Sequence, residues 1–102
     1  MQLNESIQDF YLKVQEDPRI SPVHISLYMA LVEIWIRKEY ANPFLIFSHD
    51  VMPLAKISGA ATYFRTIREL NDFGYISYNA SFNRFEGSSV VLTKSNYFKS
   101  NK

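Results

Sequence analysis

Apolar residues recur at helical spacing near the start of the chain. Four of them follow the i, i+3, i+4, i+7 pattern of an amphipathic helix, namely Ile7, Phe10, Tyr11 and Val14. Asn4 is suited to cap the first turn, and Pro18 is suited to stop the helix. The pattern predicts a first helix over roughly residues 5–16.

The longest apolar pattern covers residues 21–41 and predicts a long helix. Ser21 is a suitable N-cap, and Pro22 takes the first helical position, where a missing N–H costs no hydrogen bond. Two apolar stripes leave only a narrow polar one, so both sides of the helix should be buried. It is too short, and at His24 and Glu33 too polar, to span a membrane. It is therefore either the central core helix or a helix shared with a partner chain.

A short apolar run and a short helix come next. "FLIF" at residues 44–47 predicts a brief strand. "SHDVMPLAKI" follows and predicts a helix of about two turns with Ser48 or Asp50 as its N-cap. Pro53 favours Asp50, because from that cap it would lie in the first turn and forfeit no hydrogen bond.

The following segment predicts a helix that leads directly into a hairpin. Ser58 can cap the helix. One face of this helix carries the apolar residues Tyr63, Ile67 and Leu70, with Phe64 beside them. Gly74 fits the left-handed position after the helix, and Tyr75 can then pack back on Leu70. "YISY" and "SSVVLTK" are β-rich runs joined by the loop "NASFNRFEG", which is typical of a hairpin.

The order of the predicted elements is helix, long helix, short strand, helix, tight turn, helix and hairpin. This is the arrangement of a winged helix-turn-helix, an α+β fold in which the hairpin is the wing. We expect a single domain over residues 1–102, with an additional N-terminal helix in residues 1–20. The helix-turn-helix and a two-stranded C-terminal wing would occupy residues 44–93, and residues 95–102 would form a basic tail.

Two stretches resemble known proteins. "LAKISGAATYFRTIRELNDFGYI" resembles the helix-turn-helix and wing entry of many bacterial winged-helix DNA-binding proteins, over about residues 44–93. "HISLYMALVEIW", followed by "NPF" and this unit, resembles small winged-helix proteins of Bacteroidetes mobile elements. The resemblance implies a DNA-binding role in transcription regulation, or in DNA recombination as an excisionase-like accessory factor. The excisionase role is implied by the resemblance alone.

Composition limits the remaining classes of protein. The chain of 102 residues is 47% hydrophobic and contains no cysteine, which excludes disulfides and thiolate metal sites. The opening "MQLNESIQDF" lacks the pattern of a secretory signal, so we expect a cytoplasmic protein.

The net charge of +1 is unevenly distributed along the chain. Residues 1–20 carry a net −2 and residues 21–53 a net −1, whereas residues 54–74 carry +1 and residues 75–102 carry +3. An anionic partner should therefore meet the C-terminal half of the chain.

In a winged helix the helix before the wing enters the major groove of double-stranded DNA. The candidate DNA-binding residues lie in that helix, in the turn before it and at the tip of the wing. They are Lys56, Ser58, Gly59, Ala61, Thr62, Arg65, Thr66, Arg68, Asn83 and Arg84.

Arg65 is the leading candidate for reading a base, because a guanidinium can bond guanine O6 and N7 together. Alternatively, Arg65 pairs with Glu69 four residues on, and Arg68 pairs in the same way with Asp72. Lys56 is either a phosphate contact or an ordinary surface lysine.

At the wing, Asn83 and Arg84 can reach a minor groove or the flanking phosphates. Glu86 lies two residues on and weakens that attraction. Phe82 and Phe85 are expected to pack onto the core rather than to stack on bases.

No pattern of catalysis is recognisable in the chain. His24 and His49 lack a carboxylate at metal-ligand spacing, and no nucleophile–base arrangement or Gly-rich phosphate loop is present. We therefore expect neither an enzyme nor a cofactor.

Two functions stay open at this point. The first is sequence-specific binding of double-stranded DNA, and the second is a winged-helix module that binds another protein. The low net charge favours the second, and the basic C-terminal half favours the first. If DNA is the partner, the low charge predicts help from a homodimer or from neighbouring DNA-bound proteins such as a recombinase.

Overall fold

The structure is a computed structural model that describes residues 3–81 and 85–92. Within these ranges the chain forms four helices and three strands, which confirms the α+β class and the predicted order of elements. The elements are α1 (Leu3–Gln15), α2 (Pro22–Arg37), β1 (Phe44–Ile46), α3 (Ser48–Ala55), α4 (Ala60–Asp72), β2 (Ile76–Asn79) and β3 (Ser88–Leu92). This layout is compatible with a winged helix-turn-helix.

The long helix α2 lies at the centre of the core. Phe10 of α1 stacks on Tyr28 of α2, with the ring centroids 3.9 Å apart. Leu27 and Leu31 are fully buried, and α2 also packs on α3 and α4. The chain's own elements therefore bury the apolar stripe of α2 that carries Leu27 and Leu31, whereas three of the four residues in its second stripe, Ile25, Met29 and Ile36, are half-buried. This position agrees with a central core helix.

α2 begins as predicted, with Ser21 as its N-cap and Pro22 in the first turn. It ends at Arg37, earlier than the sequence predicts, because the chain turns into the left-handed region. Glu39 and Tyr40 have φ angles of 58° and 64°. The Tyr40 N–H donates to the carbonyl of Trp35 at 2.9 Å, and the Lys38 N–H donates to the same carbonyl at 3.1 Å, so the last turn of the helix is closed by hydrogen bonds from the residues that follow it.

A single residue separates β1 from α3, and neither predicted N-cap is correct. Phe47 is the N-cap, with extended φ and ψ angles of −122° and 137°. Its carbonyl accepts the N–H groups of Asp50 and Val51 at 2.9 and 3.1 Å. The helix therefore starts at Ser48, and Pro53 lies inside it, where it lacks the N–H that would bond back along the helix. The pairing of β1 fixes this start, which the local residue types do not reveal.

The turn between α3 and α4 is tight. Lys56 takes the left-handed conformation with φ of 60°, and the Ile57 N–H donates to the carbonyl of Met52 at 3.0 Å. The N-cap of α4 is Gly59 rather than the predicted Ser58. Both Ser58 and Gly59 are exposed, so the turn stands on the surface at the start of α4.

The hairpin strands pair antiparallel as predicted, with Tyr78 of β2 opposite Val90 of β3. The predicted two-stranded wing is incomplete, because β1 pairs with the other edge of β3 and places Phe44 opposite Val90. The sheet therefore has three strands in the order β1-β3-β2. Val90 is fully buried at its centre.

The end of α4 follows the sequence prediction. Gly74 has φ of 90°, and its N–H donates to the carbonyl of Asn71 at 3.1 Å. The Tyr75 N–H donates to the carbonyl of Leu70 at 2.9 Å, which completes a Schellman motif. Both Tyr75 and Leu70 are buried, so the turn into β2 is anchored in the core.

The last turn of α1 and the segment after it hold this same turn from outside. We call the contact the N-terminal clasp, formed by Lys13, Asp17 and Arg19 with residues 73–75. Lys13 Nζ donates to the carbonyl of Gly74 at 2.8 Å and lies 4.3 Å from the ring centroid of Tyr75. The Tyr75 hydroxyl donates to Asp17 Oδ2 at 2.9 Å.

Arg19 completes the N-terminal clasp. Its guanidinium donates to both carboxylate oxygens of Asp17, each at 2.8 Å, and its Cζ lies 4.0 Å from the ring centroid of Phe73. The hydrogen bonds from Arg19 hold the pKa of the Asp17 carboxyl well below its usual range. The additional N-terminal segment therefore fixes the end of α4.

Candidate nucleic-acid interface

The inward face of α4 is built as the sequence predicts. Tyr63, Ile67 and Leu70 are buried in the core, and Ile67 and Leu70 have no exposed surface. Burial raises the pKa of the Tyr63 hydroxyl well above its usual range. Phe64 lies beside this face with 37% of its surface exposed. The orientation of α4 is thus set by apolar burial, which leaves its opposite face in solvent.

The outward face of α4 carries two arginines at helical spacing. Ala61, Arg65 and Arg68 are exposed, and Asp72 follows on the same side at the end of the helix. Residues 60–68 contain neither Asp nor Glu. The first two-thirds of α4 therefore present a basic face without a carboxylate.

One predicted contact residue is misplaced. Thr66 has no exposed surface, and its Oγ1 makes no hydrogen bond within the described residues. It lies three residues after Tyr63 and four before Leu70, so it belongs to the buried stripe. The prediction that Thr66 faces outward is wrong, and its side chain cannot reach DNA. Thr62 is half-buried at the edge of the two faces.

The two arginines do not make the helix ion pairs that the sequence offers. Glu69 Oε1 lies 2.8 Å from His24 Nε2 of α2, so Glu69 pairs with His24 and not with Arg65. Asp72 Oδ1 accepts a long 3.4 Å hydrogen bond from its neighbour Asn71. Among the ion pairs of residues 3–81 and 85–92, none includes Arg65 or Arg68.

The turn before α4 adds further candidates to this surface. Lys56, Ser58 and Gly59 are exposed there, next to Ala60 and Ala61 in the first turn. The N-cap Gly59 makes no side-chain hydrogen bond to the first N–H groups of the helix. Those N–H groups carry the partial positive charge of the helix terminus, which attracts anions. The Lys56 ammonium and the first turn of α4 therefore both carry positive charge, and both attract an anion.

The predicted tip of the wing lies outside the described residues. This applies to Asn83 and Arg84 and also to Phe82. Phe85 is described and is 81% exposed, so the prediction that it packs onto the core is wrong.

A groove of about 740 Å³ separates α4 from the hairpin. Its walls include Phe64 and Arg68 on α4, and Tyr78 and Phe85 on the hairpin. Among the described residues, no carboxylate lines this groove, and Arg68 and His49 are the basic side chains that do. Sequence reasoning did not predict this groove, because the aromatic residues that form it are far apart along the chain.

The contact between His24 and Glu69 was also missed. His24 is 5% exposed, and the two residues are 45 positions apart. The prediction that neither histidine binds a metal rested on spacing along the chain, which does not reveal partners brought together by folding. Within the described ranges, no group of three or more His, Asp or Glu side chains could hold a metal ion.

Across the described part of the chain, no helix combines the length and apolar character needed to cross a membrane. No protein-family model, curated protein or solved structure matches this chain.

Proposed function

We propose that this protein is a winged-helix protein that binds double-stranded DNA sequence-specifically, with α4 in the major groove. The observation that carries the proposal is the outward face of α4. It presents Arg65 and Arg68, which make no ion pair with residues 3–81 or 85–92, on a stretch (residues 60–68) that contains no carboxylate. A major groove accepts a helix of this kind, and arginine is the side chain most often used to read guanine there.

The residues around this face have complementary tasks in the proposal. Gly59, Ala60 and Ala61 are small and exposed, so the start of α4 can approach the duplex closely. Lys56 and Ser58 lie in the preceding turn, where they would contact phosphates and fix the position of the helix. Arg65 is our candidate for base readout.

The hairpin supplies a second contact in the proposal. Arg68 lines the groove between α4 and the hairpin, where a phosphate of the flanking backbone would meet a cation and, among the described residues, no carboxylate. Asn83 and Arg84 at the wing tip are proposed to contact the flanking DNA.

The biological role is proposed at the level of a transcription regulator or an excisionase-like accessory factor in recombination. The resemblance of "LAKISGAATYFRTIRELNDFGYI" to bacterial winged-helix proteins supports this role. Because the net charge is only +1, we propose that useful affinity comes from a second copy or from neighbouring DNA-bound proteins such as a recombinase.

Exposed apolar side chains favour the alternative, a module that binds another protein. Leu54, Phe64 and Phe85 all stand at the surface, and Phe64 and Phe85 line the same groove. An apolar interface of this kind would depend little on salt, whereas binding to phosphates weakens steeply as salt rises.

The deciding experiment is selection of bound sequences from a random duplex library. Wild type and Arg65→Ala are compared, with Arg37→Ala as a matched control, because Arg37 is an exposed arginine on α2 paired with Glu33 at 2.8 Å. We expect a defined motif for wild type and for the control, and Arg65→Ala should lose about tenfold in affinity and relax one position of the motif. Recovery of no motif even at low salt would contradict DNA reading and favour the protein-binding alternative.

A further inference from the structure

His24 connects the start of α2 to the side of α4. Its Nδ1 lies 3.0 Å from the backbone nitrogen of Ser21 and 2.9 Å from the Ser21 hydroxyl oxygen. Its Nε2 lies 2.8 Å from Glu69 Oε1. The ring is thus held between the N-cap of one helix and a carboxylate of another.

The Ser21 contact decides which ring nitrogen carries the proton. A backbone N–H can only donate, so Nδ1 of His24 must accept and is unprotonated. In the neutral ring the proton then resides on Nε2, which donates to Glu69. The capping box of α2 therefore selects the tautomer that binds Glu69.

Glu69 has a second possible partner on its own helix. Arg65 lies four residues before it, at the spacing where Arg and Glu side chains meet on a helix surface. The Glu69 side chain is 37% exposed, so it has the freedom to turn toward solvent and toward Arg65. In the structure it turns to His24 instead.

We propose that His24 is a positioning residue that holds Glu69 away from Arg65 and so keeps Arg65 available to DNA. This inference rests on the proposed function for its consequence, but the contact itself concerns the protein alone. Without His24, Glu69 pairs with Arg65, and DNA binding must first break that pair. The carboxylate also stands closer to the phosphates and repels them.

Two substitutions of His24 separate this role from support of the helix cap. A Gln amide offers an acceptor for the Ser21 N–H and a donor that reaches about as far as the ring Nε2. An Asn amide offers the same acceptor but is one methylene shorter, so it falls short of Glu69. His24→Gln and His24→Asn thus both support the cap and differ in the contact with Glu69.

The measurement is affinity for a duplex as a function of salt, using the motif selected with wild type. We expect His24→Asn to bind about two- to fivefold more weakly, with a salt slope lower by about 1, and His24→Gln to bind like wild type. Adding Glu69→Gln to His24→Asn should restore wild-type affinity, because no carboxylate is left to pair with Arg65. Equal binding by His24→Asn and wild type, or an equal loss in both His24 variants, would overturn the proposal.

A DNA-free measurement keeps the inference separate from the proposed function. The NMR signal of the Arg65 side-chain Nε–H should move in His24→Asn and return to its wild-type position in His24→Asn/Glu69→Gln. If wild type binds no DNA but this signal behaves as expected, the proposed function fails and the positioning role of His24 stands. If the signal does not respond to His24→Asn, the positioning role is refuted whatever the DNA result.

Discussion

Basic side chains are used in opposite ways at the N-terminal clasp and on the outward face of α4. In the clasp, Lys13 and Arg19 are engaged by a backbone carbonyl, a carboxylate and two aromatic rings. On α4, Arg65 and Arg68 make no ion pair with any of the described residues. A cation that is engaged on several sides stabilises the fold, whereas one that is left open at the surface is available to an anionic partner. The comparison therefore separates a structural group, Lys13 and Arg19, from the group that we propose binds DNA, Arg65 and Arg68.

The largest effect is expected from Asp17→Ala, which removes the centre of the clasp. It removes the carboxylate that accepts the hydrogen bond of the Tyr75 hydroxyl, and it releases Arg19. Urea unfolding should show a loss of about 1–2 kcal/mol in the free energy of unfolding. Glu16→Ala, at the exposed neighbouring position, is the control and should change it by less than about 0.5 kcal/mol. DNA affinity of the folded fraction should stay unchanged, and a loss there would break the division between the two groups.

The pH dependence of stability tests whether the ionised Asp17 carboxylate stabilises the fold. The hydrogen bonds from Arg19 hold the pKa of Asp17 below its usual range in the folded state, so the folded protein binds this proton less readily than the unfolded chain. The stabilisation by Asp17 is therefore fully present above about pH 5 and is lost as the pH falls through about 4 and below. We expect the stability difference between wild type and Asp17→Asn to shrink over that range in urea unfolding at a series of pH values. A difference that stayed constant down to about pH 2 would show that the ionised carboxylate contributes nothing.

The smallest effects are expected from replacing two lysines, Lys13 of the N-terminal clasp and Lys56 of the proposed DNA-binding surface. Lys13→Met keeps an apolar stem but loses the donor to the Gly74 carbonyl, so it should cost about 0.5–1 kcal/mol in unfolding free energy. It should leave the salt dependence of DNA binding unchanged. Lys56→Met, in the exposed turn before α4, should leave stability within about 0.5 kcal/mol and lower the salt slope by about 1. The reverse result for either lysine would contradict the division.

Local signals predicted several elements correctly. Ser21 and Pro22 mark the start of α2, and Gly74 marks the end of α4, because capping depends on residues only a few positions apart. The spacing of Tyr63, Ile67 and Leu70 likewise predicted which side of α4 is buried. Thr66 was assigned to the wrong side because its polar side chain outweighed its position between those residues, where helical geometry requires burial.

Helix ends without glycine were harder to predict. Left-handed residues end α2 at Glu39 and Tyr40 and α3 at Lys56. Glu, Tyr and Lys are not residue types that signal a left-handed conformation. The energetic cost of that conformation is offset by packing elsewhere in the fold, which a local pattern does not reveal. The start of α3 at Ser48 was equally hard to predict from local residues, because the pairing of β1 with β3 determines where the strand stops.

By itself, the sequence determined the α+β class, the order of elements, the buried stripe of α4 and the presence of Arg65 and Arg68 on its other side. These follow from periodicity and capping, which operate over one or two helical turns. Tertiary structure alone decided that Glu69 contacts His24, that β1 joins the sheet, and that Lys13, Asp17 and Arg19 hold the end of α4. Such contacts join residues far apart along the chain. Their formation depends on how whole elements pack, and no local pattern encodes that packing.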